Sequence, residues 1–177
     1  MTVINIDVSE NVTAALDRAI AFGDDLTPAM KAISQMMVSF SQFNFLKQSN
    51  PQDVPWKRRV PHPGKVDFPH PILQKSGDLF GSLREDYSAT HAAAGPEASG
   101  GAAIYARVHQ LGGTIRPRAD NKKNALNTPF GLLKSVTIPA RAYLGWNDRM
   151  SGRAVDILEA FIRGVFGNER STPLQER

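Results

Sequence analysis

The chain has 177 residues, of which 41% are hydrophobic and 21% charged, and this is the composition of a globular protein rather than a disordered one. No apolar run approaches the roughly 18 residues that a membrane span requires, and the first residues lack the basic and then apolar pattern of a secretory signal. The absence of cysteine excludes disulfides and thiolate metal sites, and it suits assembly in a reducing cytoplasm.

The formal net charge of +4 is unevenly distributed along the chain. Residues 1–46 have a net charge of −3, which leaves +7 on the remaining residues. One part of the molecule is therefore expected to attract an acidic surface, either of a partner protein or of nucleic acid. A solvated basic surface with no specific partner is an equal alternative.

The first part of the chain is predicted to contain a short strand and two helices. Residues 3–8 are rich in β-branched side chains and alternate in part, as a strand does. Ser9 or Asn11 can cap a helix that continues to Phe22, and Thr27 can cap a second, longer helix. The second helix carries an apolar stripe that we interpret as core: Met30, Ile33, Met37, Phe40 and either Phe43 or Phe45.

Residues 48–71 are predicted to form an extended loop. Six of these 24 residues are prolines, each of which fixes φ and removes a backbone donor. Loops of this length inside a domain are usually functional or are ordered by a partner. Within the loop, Trp56 precedes the basic cluster Lys57, Arg58 and Arg59, and we interpret these four residues as candidate contacts with DNA or a partner.

Short elements are predicted to follow the proline-rich loop. A helical turn over residues 78–83 leads into a strand around residues 87–93. Residues 102–111 fit one helical face but also alternate as a strand would. We favour the helix, because Gly112 and Gly113 can end it cheaply in the left-handed conformation.

The last part of the chain is predicted to contain a loop, a strand and a long helix. Residues 116–127 are an exposed polar loop, and residues 134–138 are a strand that Pro139 ends. Asn147 or Asp148 caps a helix that continues to about Phe166. Its apolar face is Ala154, Val155, Leu158, Phe161, Ile162 and Val165.

Together these elements predict a single α+β domain over residues 1–167. The N-terminal helices and the long C-terminal helix are expected to pack on a small antiparallel sheet. Extended loops are expected at residues 48–71 and 114–132, and residues 168–177 are expected to form a flexible tail.

No catalytic chemistry is evident in the sequence. There is no Gly-x-Ser-x-Gly elbow, no Walker phosphate loop and no dinucleotide fingerprint. His62, Asp67 and His70 are the best metal candidates, but they lie in a proline-rich loop rather than on ordered elements, so no metal or cofactor is predicted. His109 has no evident orienting partner and is interpreted as a packed structural histidine. The protein is therefore not expected to be an enzyme.

A second basic cluster follows the helix predicted at residues 102–111, and it consists of Arg116, Arg118, Lys122 and Lys123. Together with residues 57–59 it supports the hypothesis of non-specific contact with DNA phosphates. No zinc finger, helix-turn-helix or RNA-binding signature accompanies the clusters, and each alone is more often a solvated loop.

Three short sequence motifs occur in order between residues 72 and 145. They are Ile72-Leu73-x3-Gly77-x-Leu79-x2-Ser82, Tyr105-Ala106-x2-His109-Gln110-x-Gly112-Gly113 and Ile138-Pro139-Ala140-Arg141-x-Tyr143-Leu144-Gly145. They resemble the phage virion morphogenesis (tail completion) family of Mu-like and P2-like phages. The upstream Pro55-Trp56 also suits that family, whereas Leu111 and Tyr143 stand where it frequently has phenylalanine. The resemblance does not identify segments 1–50 and 114–132.

The matched residues have structural interpretations. The two glycines end a helix tightly, Arg141 can donate several hydrogen bonds to backbone or carboxylate, and Tyr143 can bury its ring to anchor the start of the final helix. Such roles need no substrate turnover. The family motif is therefore expected to be structural at Tyr105, His109, Gln110, Gly112, Gly113, Pro139, Arg141, Tyr143 and Gly145.

The resemblance implies a structural protein of the virion neck, or head-proximal tail end, that completes the tail and allows the head to join it. It implies a ring of copies, sixfold in most such junctions, whose contacts are heterologous. The implied partners are the tail terminator or tail tube, the head connector and double-stranded DNA, with no membrane, and assembly takes place in the host cytoplasm. Loops 48–71 and 114–132 are expected to become ordered against neighbouring subunits. The alternative is a non-specific DNA-binding module at the packaged DNA end or in the tail lumen; a nuclease is disfavoured, since no acidic metal cluster is evident.

Overall fold

The elements of the chain alternate between helices and short strands, which confirms the predicted α+β class. The computed structural model describes residues 10–21, 25–59, 70–97, 101–117, 125–128 and 131–164. The helices are α1 (Glu10–Ala21), α2 (Thr27–Lys47), α3 (Asp78–Gly81), α4 (Ala102–Leu111) and α5 (Asp148–Ile162). The strands are β1 (Leu83–Tyr87), β2 (Ala92–Pro96), β3 (Gly113–Ile115), β4 (Leu126–Thr128), β5 (Gly131–Leu133) and β6 (Val136–Ile138).

The tertiary contacts divide the chain into two compact units. We call one the motif unit, which comprises the described residues of Ser41–Leu83 and Pro96–Gly145. We call the other the helical unit, which comprises the described residues from 10 to 40, Arg84–Gly95 and residues 146–164. The prediction of a single domain over residues 1–167 stays a prediction.

The helical unit has a core built by α1, the first part of α2 and α5. Apolar residues at helical spacing meet in it: Val12, Ala15, Ala19, Leu26, Ala29, Met30, Ile33, Ala154, Ile157, Leu158 and Phe161. Of the stripe predicted on α5, Ala154, Leu158 and Phe161 belong to this core. Of the stripe predicted on α2, only Met30 and Ile33 belong to it, with Met37 packed against it. Burial of such side chains contributes about 25 cal/mol for each Å² of apolar surface removed from water.

Local capping explains where the helices begin. The Asn147 side chain accepts a hydrogen bond from the Met150 backbone N–H at 2.9 Å, which confirms the predicted start of α5. At the start of α2 the Asp25 carboxylate accepts from both the backbone N–H and the hydroxyl of Thr27, so Asp25 rather than Thr27 supplies the cap. In α1, Asn11 lies inside the helix, while Ser9 is outside the described residues.

Three predicted boundaries differ from the structure. The strand expected at residues 87–93 is interrupted by a hairpin turn over residues 88–91, while Tyr87 ends β1 and Ala92 begins β2. In the turn, the Ser88 hydroxyl accepts a hydrogen bond from the Thr90 N–H, and the Ser88 N–H donates to the His91 carbonyl. Helix α5 ends at Ile162, before Gly164 with φ of 77°, and Val165 is outside the described residues. The loop predicted at residues 114–132 contains the end of β3, all of β4 and the start of β5, and β4 pairs antiparallel with β5. The strand predicted at residues 3–8 lies outside the described residues.

The motif unit combines short helices with two small sheets. Strands β3 and β6 pair antiparallel, with Thr114 opposite Thr137, so the predicted strand before Pro139 is confirmed. Helix α4 has the predicted bounds and ends at Gly112, where φ is 73°. Helix α3 packs beside α4. Among the helices of the described residues, none combines the length and hydropathy that crossing a membrane would require.

Candidate functional site

The segment that follows β6, residues 139–145, is not part of any sheet, and we call it the motif segment. Its backbone is bonded to the side chain of Gln110, which is 8% exposed at the end of α4. The Gln110 Oε1 accepts from the N–H groups of Tyr143 and Leu144 at 3.0 and 3.1 Å, and its Nε2 donates to the Leu144 carbonyl at 2.8 Å. One side-chain amide therefore satisfies three backbone groups that burial would otherwise leave unpaired.

Two more side chains donate to carbonyls of the motif segment from distant parts of the chain. The Asn44 Nδ2 at the end of α2 donates to the Tyr143 carbonyl at 3.1 Å. The Trp56 Nε1 donates to the Ala142 carbonyl at 2.9 Å. The motif segment is thus fixed by side chains rather than by a neighbouring strand.

An aromatic cluster packs beneath the motif segment around Phe45, which has no exposed surface. The ring of Phe45 lies 5.5 Å from Trp56, 5.7 Å from Phe80 and 5.1 Å from Tyr143, measured between ring centroids. The first two pairs are edge-to-face, an arrangement that the ring quadrupoles favour. Phe45 is therefore the core residue of the two alternatives on α2, since Phe43 is 44% exposed.

The burial of Trp56 corrects a prediction from the sequence. Its ring is 5% exposed and its only donor is bonded inside the chain. The physical reason is that an indole buries its large apolar surface readily when its N–H finds a partner. Trp56 is thus a core residue of the motif unit, rather than a candidate contact with DNA or a partner.

Tyr143 buries its ring, as predicted, and is 1% exposed. Its hydroxyl donates to the Ala106 carbonyl at 3.4 Å, on the facing turn of α4. Burial raises the pKa of Tyr143 to about 12, because the phenolate would lose its hydration.

At two glycines of the motifs, neighbouring atoms leave no room for a side chain. A Cβ at Gly112 would lie 2.8 Å from the Ala140 nitrogen, and φ there is 73°. A Cβ at Gly145 would lie 2.7 Å from the ring of Pro51. These close approaches explain why glycine is needed at both positions.

A pocket of about 410 Å³ opens beside the motif segment. We call it the basic pocket, because three cations and a histidine contribute to its lining: Arg59, Lys75, Arg141 and His109. Apolar walls come from Ile72, Leu73 and Leu79, and Tyr105, Ser76 and Asp78 complete it. The pocket thus brings together motif residues from all three matched stretches.

Arg141 is the most buried cation of the basic pocket, at 7% exposed. Its Nε and Nη2 both donate to the Lys57 carbonyl, at 3.1 and 3.0 Å, and its backbone N–H donates to the His109 carbonyl at 2.7 Å. The prediction that Arg141 donates several hydrogen bonds to backbone is confirmed. Burial, and then the charge of Arg59, lowers the pKa of Arg141 from its ordinary value.

His109 is half-buried and packs edge-on against Tyr105, with 5.8 Å between ring centroids. Its Nδ1 is buried and has no hydrogen-bond partner in the described part of the chain. Burial, and then the nearby Arg141, lowers the pKa of His109, which favours the neutral ring.

The other predicted contact residues are only partly described. Lys57, Arg58 and Arg116 are exposed, and Arg59 is half-buried and donates to the His70 carbonyl. Arg118, Lys122 and Lys123 lie outside the described residues, as do His62 and Asp67. Within the described ranges, no three histidine or acidic side chains are grouped so that they could hold a metal ion.

Sequence reasoning missed Asn44 and Gln48, which connect α2 to the rest of the motif unit. The Gln48 Oε1 accepts from the Ile72 N–H at 2.6 Å, and its Nε2 donates to the Phe45 carbonyl at 2.5 Å. Gln48 has φ of 56°, where the chain leaves the helix. The available signal was two amide residues, one in the last turn of a helix and one directly after it.

A family model of phage virion morphogenesis proteins matches residues 7–163 of the chain. The match includes most of segment 1–50 and all of segment 114–132, which the resemblance in the second half did not identify. Comparisons with curated proteins and with solved structures found no match.

Proposed function

The chain belongs to the phage virion morphogenesis family, and from this premise we propose that it is a structural subunit of the head–tail junction. In this role it completes the tail and allows the head to join it. The observation that carries the proposal is the family match over residues 7–163, which include nearly all of the described chain.

The use of the motif residues supports a structural role. Gln110, Tyr143 and the motif glycines stabilise the packing of the motif segment, through the hydrogen bonds and close approaches described above. A subunit of a particle needs such a rigid frame, because its contacts with neighbours must keep one geometry in every copy.

The hairpin of β4 and β5 supports contact with a neighbouring subunit. All three residues of β5 are exposed, with Leu132 at 58% and Leu133 at 37%. These strands form a two-stranded sheet, and an isolated sheet of that size is marginally stable in water. We infer that another copy covers the leucines in a ring, which in most such junctions is sixfold. The ring lies at the head-proximal tail end, between head connector and tail tube.

A complementation experiment tests the function. Phage or prophage lacking this gene is supplied with the wild-type chain, with Leu132→Asp, or with the control Asn127→Asp on exposed β4. We expect wild type and control to restore joined particles, and Leu132→Asp to give a folded protein that leaves heads and tails separate. Cryo-electron microscopy of restored particles should place copies of the chain in the neck. Joined, infectious particles formed without the gene would overturn the proposal.

DNA binding is the second candidate function, supported by the exposed cations Lys57 and Arg58. They follow the buried Trp56, so a fixed aromatic core presents them at the surface. Their replacement by glutamine should lower affinity for duplex DNA and reduce the salt slope by roughly 2, because each phosphate contact contributes about 0.9. Lys134→Gln, at another exposed lysine, is the control. A salt-independent or undetectable affinity would exclude this function.

A further inference from the structure

The basic pocket contains a buried arginine that has no counter-charge among the described residues. Arg141 is 7% exposed, and both guanidinium hydrogen bonds go to one neutral carbonyl. Within the described part of the chain, no carboxylate lies within 4 Å of it. Buried charges in proteins are ordinarily paired, because removing an ion from water without compensation is costly.

The surroundings of Arg141 add further cationic side chains to the pocket. Lys75 and Arg59 line the same pocket, and among the described residues of the lining Asp78 is the only acidic one. His109 also lines the pocket, and its buried Nδ1 has no hydrogen-bond partner among the described residues.

We propose that the basic pocket is a receptor for the carboxylate of an acidic side chain that a partner protein presents. Arginine is the side chain best matched to a carboxylate, since its planar fork donates parallel hydrogen bonds. The apolar walls of Ile72, Leu73 and Leu79 accommodate the methylene groups that carry the carboxylate. A duplex phosphate fits less well, because DNA backbones contact exposed cations rather than a recessed one.

The part of this inference that concerns a partner rests on the proposed function, whereas binding of a carboxylate by the isolated chain does not. The first experiment therefore uses the full chain and sodium acetate, with sodium chloride at equal ionic strength as the reference. The ring signals of His109 are followed by nuclear magnetic resonance and assigned by their loss in His109→Gln. We expect a saturable shift and a rise in the pKa of His109 with acetate, since a carboxylate favours the charged ring.

Two variants establish that the pocket is the site. Arg141→Lys keeps the charge but loses the fork, and it should weaken acetate binding about tenfold. Lys75→Gln removes an exposed cation of the lining and should weaken binding about threefold, whereas Lys134→Gln should leave it unchanged. An identical response to chloride and acetate would overturn the proposal, as would a His109 shift produced by a short DNA duplex but not by acetate.

The source of the carboxylate is tested separately. Residues 60–69 contain one acidic residue, Asp67, as an alternative source within the chain. If Asp67→Asn leaves the His109 signals and the acetate affinity unchanged, a partner is the source of the carboxylate. Tighter acetate binding in Asp67→Asn would show that Asp67 occupies the pocket, and it would overturn the proposal of a partner carboxylate. In the complementation assay, Lys75→Glu should block incorporation, because its carboxylate competes for Arg141. Normal incorporation of Lys75→Glu would remove the partner from the proposal and leave the head–tail function intact.

Discussion

The side-chain amide of Gln110 forms two hydrogen bonds with the backbone of one residue, Leu144. Its Oε1 accepts from the Leu144 N–H at 3.1 Å, and its Nε2 donates to the Leu144 carbonyl at 2.8 Å. The Gln110 amide pairs with both the N–H and the carbonyl of Leu144, as a residue of a neighbouring strand does in a sheet. The Leu144 backbone is therefore paired without a neighbouring strand.

Replacing Gln110 by alanine is expected to destabilise the motif unit strongly. Three backbone groups of Tyr143 and Leu144 would lose their partners, and a buried unpaired group costs about 1–3 kcal/mol. We expect a loss of roughly 3 kcal/mol in the free energy of unfolding, measured in urea. Gln35→Ala, at an exposed position of α2, is the control and should change it by less than about 0.5 kcal/mol. Equal effects of the two variants would contradict the role of Gln110.

The features predicted correctly from the sequence have local causes. Helix α4 ends at Gly112 because glycine adopts positive φ cheaply, and α5 begins where the Asn147 side chain reaches Met150, three residues away. Both signals lie within a few residues of the position that they predict.

The features that sequence reasoning missed depend on distant parts of the chain. Asn44 bonds to a carbonyl 99 residues away, and Trp56 to one 86 residues away. Nothing near either residue in the sequence indicates these partners. The basic cluster after Trp56 made a surface contact the simpler interpretation, whereas the tertiary packing around Phe45 buries the ring. The basic pocket could not be predicted for the same reason, since its lining comes from four separate stretches.

Glycine is required at position 112 both by the positive φ and by the close approach of Ala140, and a comparison with Gly77 separates the two effects. Gly112 and Gly77 have φ of 73° and 80°, but only at Gly112 would a Cβ lie 2.8 Å from backbone; at Gly77 there is nothing within 4 Å. Gly77→Ala should therefore cost about 1 kcal/mol through strain alone. Gly112→Ala should cost roughly 3 kcal/mol, because β6 or Ala140 must also shift. Thermal unfolding of both variants gives the comparison, and equal losses would show that the close approach to Ala140 is unimportant.

The two tryptophans should differ in their access to solvent. Trp56 is 5% exposed, whereas Trp146 is half-buried and donates to the Ser151 hydroxyl. In Trp146→Phe, the emission of the remaining Trp56 should be blue-shifted and resist quenching by acrylamide. In Trp56→Phe, the remaining Trp146 should be quenched more readily, and the unpaired Ala142 carbonyl should cost about 1–2 kcal/mol of stability. Similar quenching in both variants would contradict the core position of Trp56.

Tyr143 should make the stability of the protein fall at high pH. Its pKa is raised to about 12 in the folded chain, whereas an unfolded tyrosine titrates near 10. Its stabilising contribution is therefore fully present below pH 10 and is lost as the pH rises from about 10 to 12, because the unfolded chain releases this proton first. The slope from one such proton is at most about 1.4 kcal/mol per pH unit. Tyr143→Phe should remove that part of the slope and, in a phenolate absorbance titration of the folded protein, the component with its midpoint near 12. An unchanged titration curve in Tyr143→Phe would show that the buried ring is not the late-titrating group.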